Sequence, residues 1–196
     1  MKTIIFMGRS GSGKGTQAQL LIDFFNSQTP PVPTLYVETG GLLREFIKTP
    51  GWTQRRAKEI MNQGGYLPGF LPIRNWSEFL IKHFQGGENL ILDGCSRTLV
   101  EAEALNGALE FYGRTGPAKV SVFLLEVAED EIVQRLLPRG RVDDTHEGIR
   151  NRLQEFDFKV KPVLDFYAHH PNYNFIKING NRSIEEIAVD IRSLLS

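Results

Sequence analysis

The sequence predicts an α/β protein built on a mainly parallel, five-stranded sheet flanked by helices. Three observations carry that prediction. Five short apolar runs are each bounded by turn residues. Stretches with helical spacing of apolar residues lie between them. The first run ends in a glycine-rich turn that leads directly into a helical pattern, the arrangement of a strand feeding a helix N-terminus. Alternation of this kind places helices over the faces of a sheet whose strands run parallel.

Lys2 to Met7 is the first strand, and Leu20, Leu21, Phe24 and Phe25 mark the helix after it. Thr29-Pro30-Pro31-Val32-Pro33 reads as an extended connector, because proline fixes φ and cannot continue a helix. Thr34 to Val37 is the second strand. From Thr39 to Phe84 no convincing strand appears; Leu42, Leu43, Phe46 and Ile47 mark a helix, and Pro50-Gly51 and Gly64-Gly65 interrupt the pattern. Residues 38–84 therefore read as a helical insertion between two core strands, able to move relative to the sheet. Asn89 to Leu92, Lys119 to Leu125 and Asn174 to Ile178 supply the remaining strands, and Ile184, Ile187, Ile191 and Leu194 mark a C-terminal helix. The core then comprises residues 1–37, 85–136 and 145–196, with a short segment, 137–144, interrupting it.

Among 196 residues, 23 Lys and Arg balance 23 Asp and Glu, which argues against a surface that coats nucleic acid. No apolar stretch approaches the roughly 20 residues needed to span a bilayer, so no membrane partner is expected. The opening apolar run is too brief for a secretory signal. A single cysteine, Cys95, excludes an intrachain disulfide framework and a four-cysteine zinc site, and no zinc is expected. A reducing cytoplasm is the natural setting.

After the first strand comes Gly8-Arg9-Ser10-Gly11-Ser12-Gly13-Lys14-Gly15-Thr16-Gln17. Glycines let backbone N–H groups converge on an anion, the helix dipole adds positive potential, and Lys14 supplies a point charge for the β and γ phosphates. The strict phosphate-loop pattern puts Ser or Thr directly after the lysine, whereas here Gly15 intervenes and the hydroxyl is on Thr16. Asp93 ends a buried apolar run beside Gly94, where a carboxylate needs a partner.

Gly-Ser-Gly-Lys-Gly-Thr-Gln is how this loop is written in adenylate kinases, and further segments follow in that family's order. Thr39-Gly40-Gly41-Leu42-Leu43-Arg44 resembles its Thr-Gly-Asp-x-x-Arg segment, and Gly64-Gly65-Tyr66-Leu67-Pro68 is similar to its Gly-x-Leu-Val-Pro turn. Leu92-Asp93-Gly94-Cys95-Ser96-Arg97-Thr98 resembles Leu-Asp-Gly-Phe-Pro-Arg-Thr. Arg135 to Asp144 is similar to the lid region, and Ile149-Arg150-Asn151-Arg152-Leu153 completes the series. The chain thus resembles adenylate kinase, a P-loop NTPase fold with a helical monophosphate-binding insertion, over nearly its whole length.

The resemblance implies reversible, Mg²⁺-dependent transfer from ATP to AMP, giving two ADP. It places ATP phosphates on Gly11, Ser12, Gly13, Lys14, Gly15 and Thr16, with Arg135 stacking on the adenine, Arg139 on the phosphates and Arg182 near the adenine. AMP would sit on Thr39, Arg44, Gly65, Tyr66, Leu67, Gly94, Arg97 and Glu101, with Arg141 and Arg152 on its phosphate or on the transferring group. Asp93 would hold a water of the Mg²⁺ shell. Lys14, Arg97, Arg139, Arg141 and Arg152 are the expected catalytic cations, and a monomer or small homo-oligomer is expected. Elementary chemistry agrees, because phosphoryl transfer needs alignment and cations around the equatorial oxygens more than covalent help. Arginine's rigid fork suits bidentate phosphate contacts.

Departures from the family pattern are specific. Ser10 replaces the usual proline, Gly41 the usual aspartate, and Cys95-Ser96 the usual Phe-Pro. Glu101 stands where a glutamine usually both donates to and accepts from adenine, and an ionised glutamate only accepts. A kinase for another nucleoside monophosphate is therefore an alternative, and an inactive nucleotide-binding module a second. Only Gly140 separates Arg139 from Arg141, so the lid reads as nearly absent. Asp144 with Glu147 has capping-box spacing, leaving helix capping and arginine orientation both open for Asp144. Cys95 reads as packed rather than reactive.

Overall fold

The computed structural model describes residues 1–115 and 120–195. Strands β1 (Thr3–Met7), β2 (Thr34–Glu38), β3 (Asn89–Asp93), β4 (Val120–Glu126) and β5 (Tyr173–Asn179) form one sheet, all neighbours parallel, in the order β2-β3-β1-β4-β5. Every residue of β1 and β3 is buried, as expected of central strands covered on both faces. The predicted strands agree with these to within a residue or so at each end; Lys119 lies outside the described residues.

Alternate residues divide between two cores. Ile5, Met7, Val37, Leu90, Leu92, Val122 and Leu124 face Trp76 and Leu80 of α4 (Phe70–His83), Leu105 of α5 (Leu99–Phe111) and Tyr167 of α8 (Lys161–His169). On the other face, Ile4, Phe6, Ile91, Phe123 and Leu125 meet Leu21 and Phe25 of α1 (Lys14–Asn26) and Ile187 and Ile191 of α9 (Ile184–Ser193). Burying side chains of this size stabilises the fold by roughly 1.5–3 kcal/mol each.

Between β2 and β3 the chain forms α2 (Thr39–Phe46), α3 (Trp52–Asn62) and α4, held together by Leu43, Ala57, Leu67 and Leu71. After β4 come α6 (Glu129–Leu136), a 3₁₀ turn at Leu137–Arg139, and α7 (His146–Glu155). Gly140, at φ 73°, ends that turn in a left-handed conformation that a side chain disfavours. A π-helical turn, Phe156–Val160, joins α7 to α8 and widens the helix so that Phe158 points outward at 82 % exposure.

The connections leave β1 toward β2 on one side and β3 toward β4 on the other. That reversal opens a crevice at the carboxyl ends of the strands, where α/β proteins bind ligands.

Candidate active site

The crevice is a cavity of about 830 Å³ reached by loops from four strands and by the α6–α7 connection. The turn after β1 supplies Gly11, Ser12, Gly13, Lys14, Gly15 and Thr16. Gly13 takes φ 94° as the residue before α1, which lets the loop wrap tightly around the helix start. Ser12 is 1 % exposed, with its hydroxyl buried. Lys14 folds back over the loop, its Nζ donating to the carbonyls of Gly8 and Arg9 at 3.0 Å each. Burial lowers its pKa; Arg97 and Arg139 add to that lowering, and Asp93 and Glu38 oppose it.

Asp93 ends β3 in ladder register with Glu38 at the end of β2. The Tyr36 hydroxyl donates to Asp93 Oδ2 at 3.2 Å. Burial pushes the Asp93 carboxyl above the usual range, with Lys14 as the main opposing influence. The adjacent Gly94, together with Gly65, Tyr66 and Leu67 from the turn before α4, also lines the cavity. The Arg97 guanidinium lies 4.7 Å from the Tyr66 ring centroid. It has no carboxylate within 4 Å among the described residues, and neither has Arg141.

Asp144 organises the remaining arginines. It accepts from Arg139 Nε (2.8 Å) and Nη2 (2.7 Å), from Arg152 Nη2 (2.7 Å) and from the Arg141 backbone N–H (3.1 Å). Burial raises its pKa, but the Arg139, Arg152 and Arg141 hydrogen bonds outweigh that and hold the carboxyl at about 2. Helix α7 is instead capped by Thr145, whose hydroxyl accepts from the Gly148 N–H at 3.0 Å. Of the two roles left open for Asp144, arginine orientation is the one the structure displays. Arg152 is 7 % exposed, and also reaches Asp143 (2.8 Å) and Ser10 Oγ (3.4 Å), linking α7 to the phosphate loop.

Arg135 lines the cavity with Nε on Glu131 (2.8 Å), and Arg182 lines it while paired with Asp190. Two predicted residues lie behind the lining. Thr39 is 1 % exposed and donates to Cys95 Sγ at 3.1 Å, while burial pushes the Cys95 thiol up to about 12, an inert setting. Glu101, also 1 % exposed, accepts from the Arg97 N–H (2.9 Å) and the Thr98 hydroxyl (3.1 Å), bracing the turn before α5.

The profile of the adenylate kinase family matches residues 6–172. The chain belongs to the adenylate kinase family. Adenylate kinase 1 of Nostoc sp. is 32% identical over 100% of this chain and 99% of its own length. An adenylate kinase of Prochlorococcus marinus is 34% identical with the same coverage, and one of Leptospira biflexa is 36% identical over 95% of this chain and 96% of its own. The chain is accordingly a phosphotransferase of the nucleoside monophosphate kinase class. Among the described residues, no helix is long and apolar enough to cross a membrane, and no three His, Cys, Asp or Glu residues gather as a metal cluster.

Within this adenylate kinase fold, sequence reasoning missed Tyr36, Glu38, Arg9 and the Tyr66 side chain. Arg9 bridges Glu129 of α6 (3.0 Å) and Asp157 of the π turn (2.8 Å), and lies over the Phe156 ring. Both carboxylates are more than half exposed, so each pair contributes under about 1 kcal/mol to stability. Arg9→Ala should leave the melting temperature nearly unchanged. It should raise KM for ATP about threefold to tenfold by loosening the phosphate loop, and the effect should shrink as salt rises. An unchanged KM at low salt would remove Arg9 from the site.

A second contact joins the insertion to α7. Asn151 Nδ2 donates to the Gln63 carbonyl at 2.9 Å, and a Cβ at Gly64 would come within 2.4 Å of the Gly148 carbonyl. The 63–65 turn therefore rests directly on α7.

Proposed function

We propose that this chain catalyses ATP + AMP ⇌ 2 ADP with Mg²⁺ in the cavity described above. The observation that carries the reading is the set of cations that face one cavity without a carboxylate partner among the described residues: Lys14, Arg97 and Arg141. Uncompensated charge in a half-enclosed cleft is costly unless an anion arrives to use it. ATP phosphates lie along Gly11 to Thr16 with Lys14 and Arg139. The acceptor phosphate lies against Arg44 and Arg97, with Arg141 and Arg152 between the two. An acceptor oxygen attacks the γ phosphorus as its bond to the bridging oxygen of ADP breaks, and these arginines neutralise the equatorial oxygens.

Asp93 and the Thr16 hydroxyl are hard oxygen donors at the mouth of the phosphate loop, a set that fits Mg²⁺ with water retained in its shell. Mg²⁺ would be held there through Asp93 and the Thr16 hydroxyl and would supply positive charge to offset that of the phosphates. Base reading falls to the 65–67 backbone and to Glu101 behind it, whose two oxygens accept from the Arg97 N–H and the Thr98 hydroxyl. Burial pushes the Glu101 carboxyl upward, and those hydrogen bonds oppose it. Family membership favours AMP, with another monophosphate as the alternative. Buried, unpaired Cys95 suits a cytoplasmic setting.

The short α6–α7 connection, with Gly140 alone between Arg139 and Arg141, replaces a lid, and the 63–65 turn seated on α7 takes over part of the exclusion of water. ADP production measured with AMP, GMP, CMP, UMP and no acceptor tests both points. Strong AMP preference with slow but measurable acceptor-free hydrolysis is expected. Preference for another base would make Glu101 the specificity switch, and undetectable hydrolysis beside fast transfer would discard the leak.

A further inference from the structure

Glu38 lines the cavity together with Arg44 and Arg97, and no step of the reaction uses it. Its Oε1 lies 2.6 Å from Arg44 Nη2. Arg44, Glu38 and Arg97 converge over Gly40: a Cβ there would meet Arg44 Nη1 at 3.1 Å, Glu38 Oε1 at 3.5 Å and Arg97 Nη2 at 3.7 Å. The other carboxylate oxygen fills the space above Gly41, 2.9 Å from where a Cβ would stand. Absence of a side chain at 41 is thus what admits the carboxylate.

We propose that Glu38 is an internal stand-in for the acceptor phosphate, occupying the anion position at Arg44, beside Arg97, and yielding it when a nucleoside monophosphate binds. The inference rests on the assignment of Arg44 and Arg97 to the acceptor phosphate. A contrast with Asp144 distinguishes a stand-in from a support. A carboxylate that braces arginines sits behind them, as Asp144 does with a side chain that is 0 % exposed and outside the cavity lining. Glu38 is instead 38 % exposed in its side chain, lines the cavity, and shares that lining with the arginines it faces. An arriving dianion would meet like charge there until Glu38 swings aside, so the charge of Arg44 is offset in the empty site at the expense of acceptor affinity.

Calorimetric titration of AMP, and of inorganic phosphate as a base-free anion, into wild type, Glu38→Gln and Gly41→Ala tests this. Glu38→Gln keeps the shape and removes the charge. Gly41→Ala lies within a helix at negative φ and evicts the carboxylate sterically, reaching the same end without touching Glu38. Each should bind AMP with a Kd about tenfold lower than wild type, a gain of about 1.4 kcal/mol, with phosphate shifted the same way and ATP affinity unchanged. The double variant should gain little beyond either single one. Equal AMP affinity in all proteins would overturn the proposal while leaving the acceptor site intact. Weaker binding by Glu38→Gln would overturn it by making Glu38 a support. AMP bound by none of them would overturn the acceptor assignment, and this inference with it.

Discussion

Lys14→Met is expected to lower kcat about a thousandfold, the range seen when one preorganised charge is removed from a transition state, while the folded protein stays as stable as wild type or becomes more so. Among the described residues, Nζ of Lys14 is held by two carbonyls, of Gly8 and Arg9. Its pKa is lowered first by burial and then by Arg97 and Arg139, so the folded state holds this proton less tightly than the unfolded chain does. Stability tied to this group therefore rises as pH rises through the folded pKa, and below it the charge is a burden. Methionine fills similar volume without the charge. Gly8, one of the two residues whose carbonyls it leaves, lines the open cavity. Steady-state kinetics beside thermal melting separates the effects: activity lost with the melting temperature retained marks a functional lysine, whereas a matching fall in both would make Lys14 a structural cap of its loop.

That opposition between function and stability was legible in the sequence only in part. The strands were legible because β1 and β3 are buried on both faces and read as unbroken apolar runs. Ends were less so: β2 continues to Glu38 because the ladder with β3 continues to Asp93, and a charged residue gives no apolar signal for that last pair. Lys14, Asp93, Arg97, Arg139, Arg141 and Arg152 stood out through their motifs, and the fold brings them to one cavity. Their partners did not stand out. Arg9 meets Asp157 across 148 residues, and no local periodicity links such positions. Asp144 shows the same limit at short range. Its spacing to Glu147 permits a capping box, but Thr145 can cap the same helix, and only the approach of Arg139 and Arg152 decides between them. Glu38 and Gly41 form another hidden pair, since the missing side chain at one position explains where the other's carboxylate lies.

Asp144→Asn is expected to destabilise the fold by about 3–5 kcal/mol, the usual cost of removing one partner from a buried charge network. The side chain is fully enclosed, and its two oxygens receive four hydrogen bonds from Arg139, Arg152 and the Arg141 backbone. An amide keeps the shape but turns a donor toward guanidinium groups that can only donate, and leaves the 7 % exposed Arg152 with Asp143 as its remaining carboxylate. Asp143→Asn should cost much less, because that side chain is 26 % exposed. Activity should fall with Asp144→Asn even where the protein stays folded, since Arg139 and Arg152 lose the anchor that fixes their forks. The pH dependence gives an independent check. With a folded pKa of about 2, below the unfolded value near 3.9, Asp144 contributes about 2–3 kcal/mol that is fully present above the unfolded pKa and lost as pH falls through the folded one. Denaturant melts of wild type should therefore lose this contribution between about pH 4 and pH 2, and Asp144→Asn should lack that part of the slope. If both proteins lose stability in parallel over that window, the carboxylate is not what holds the arginines together.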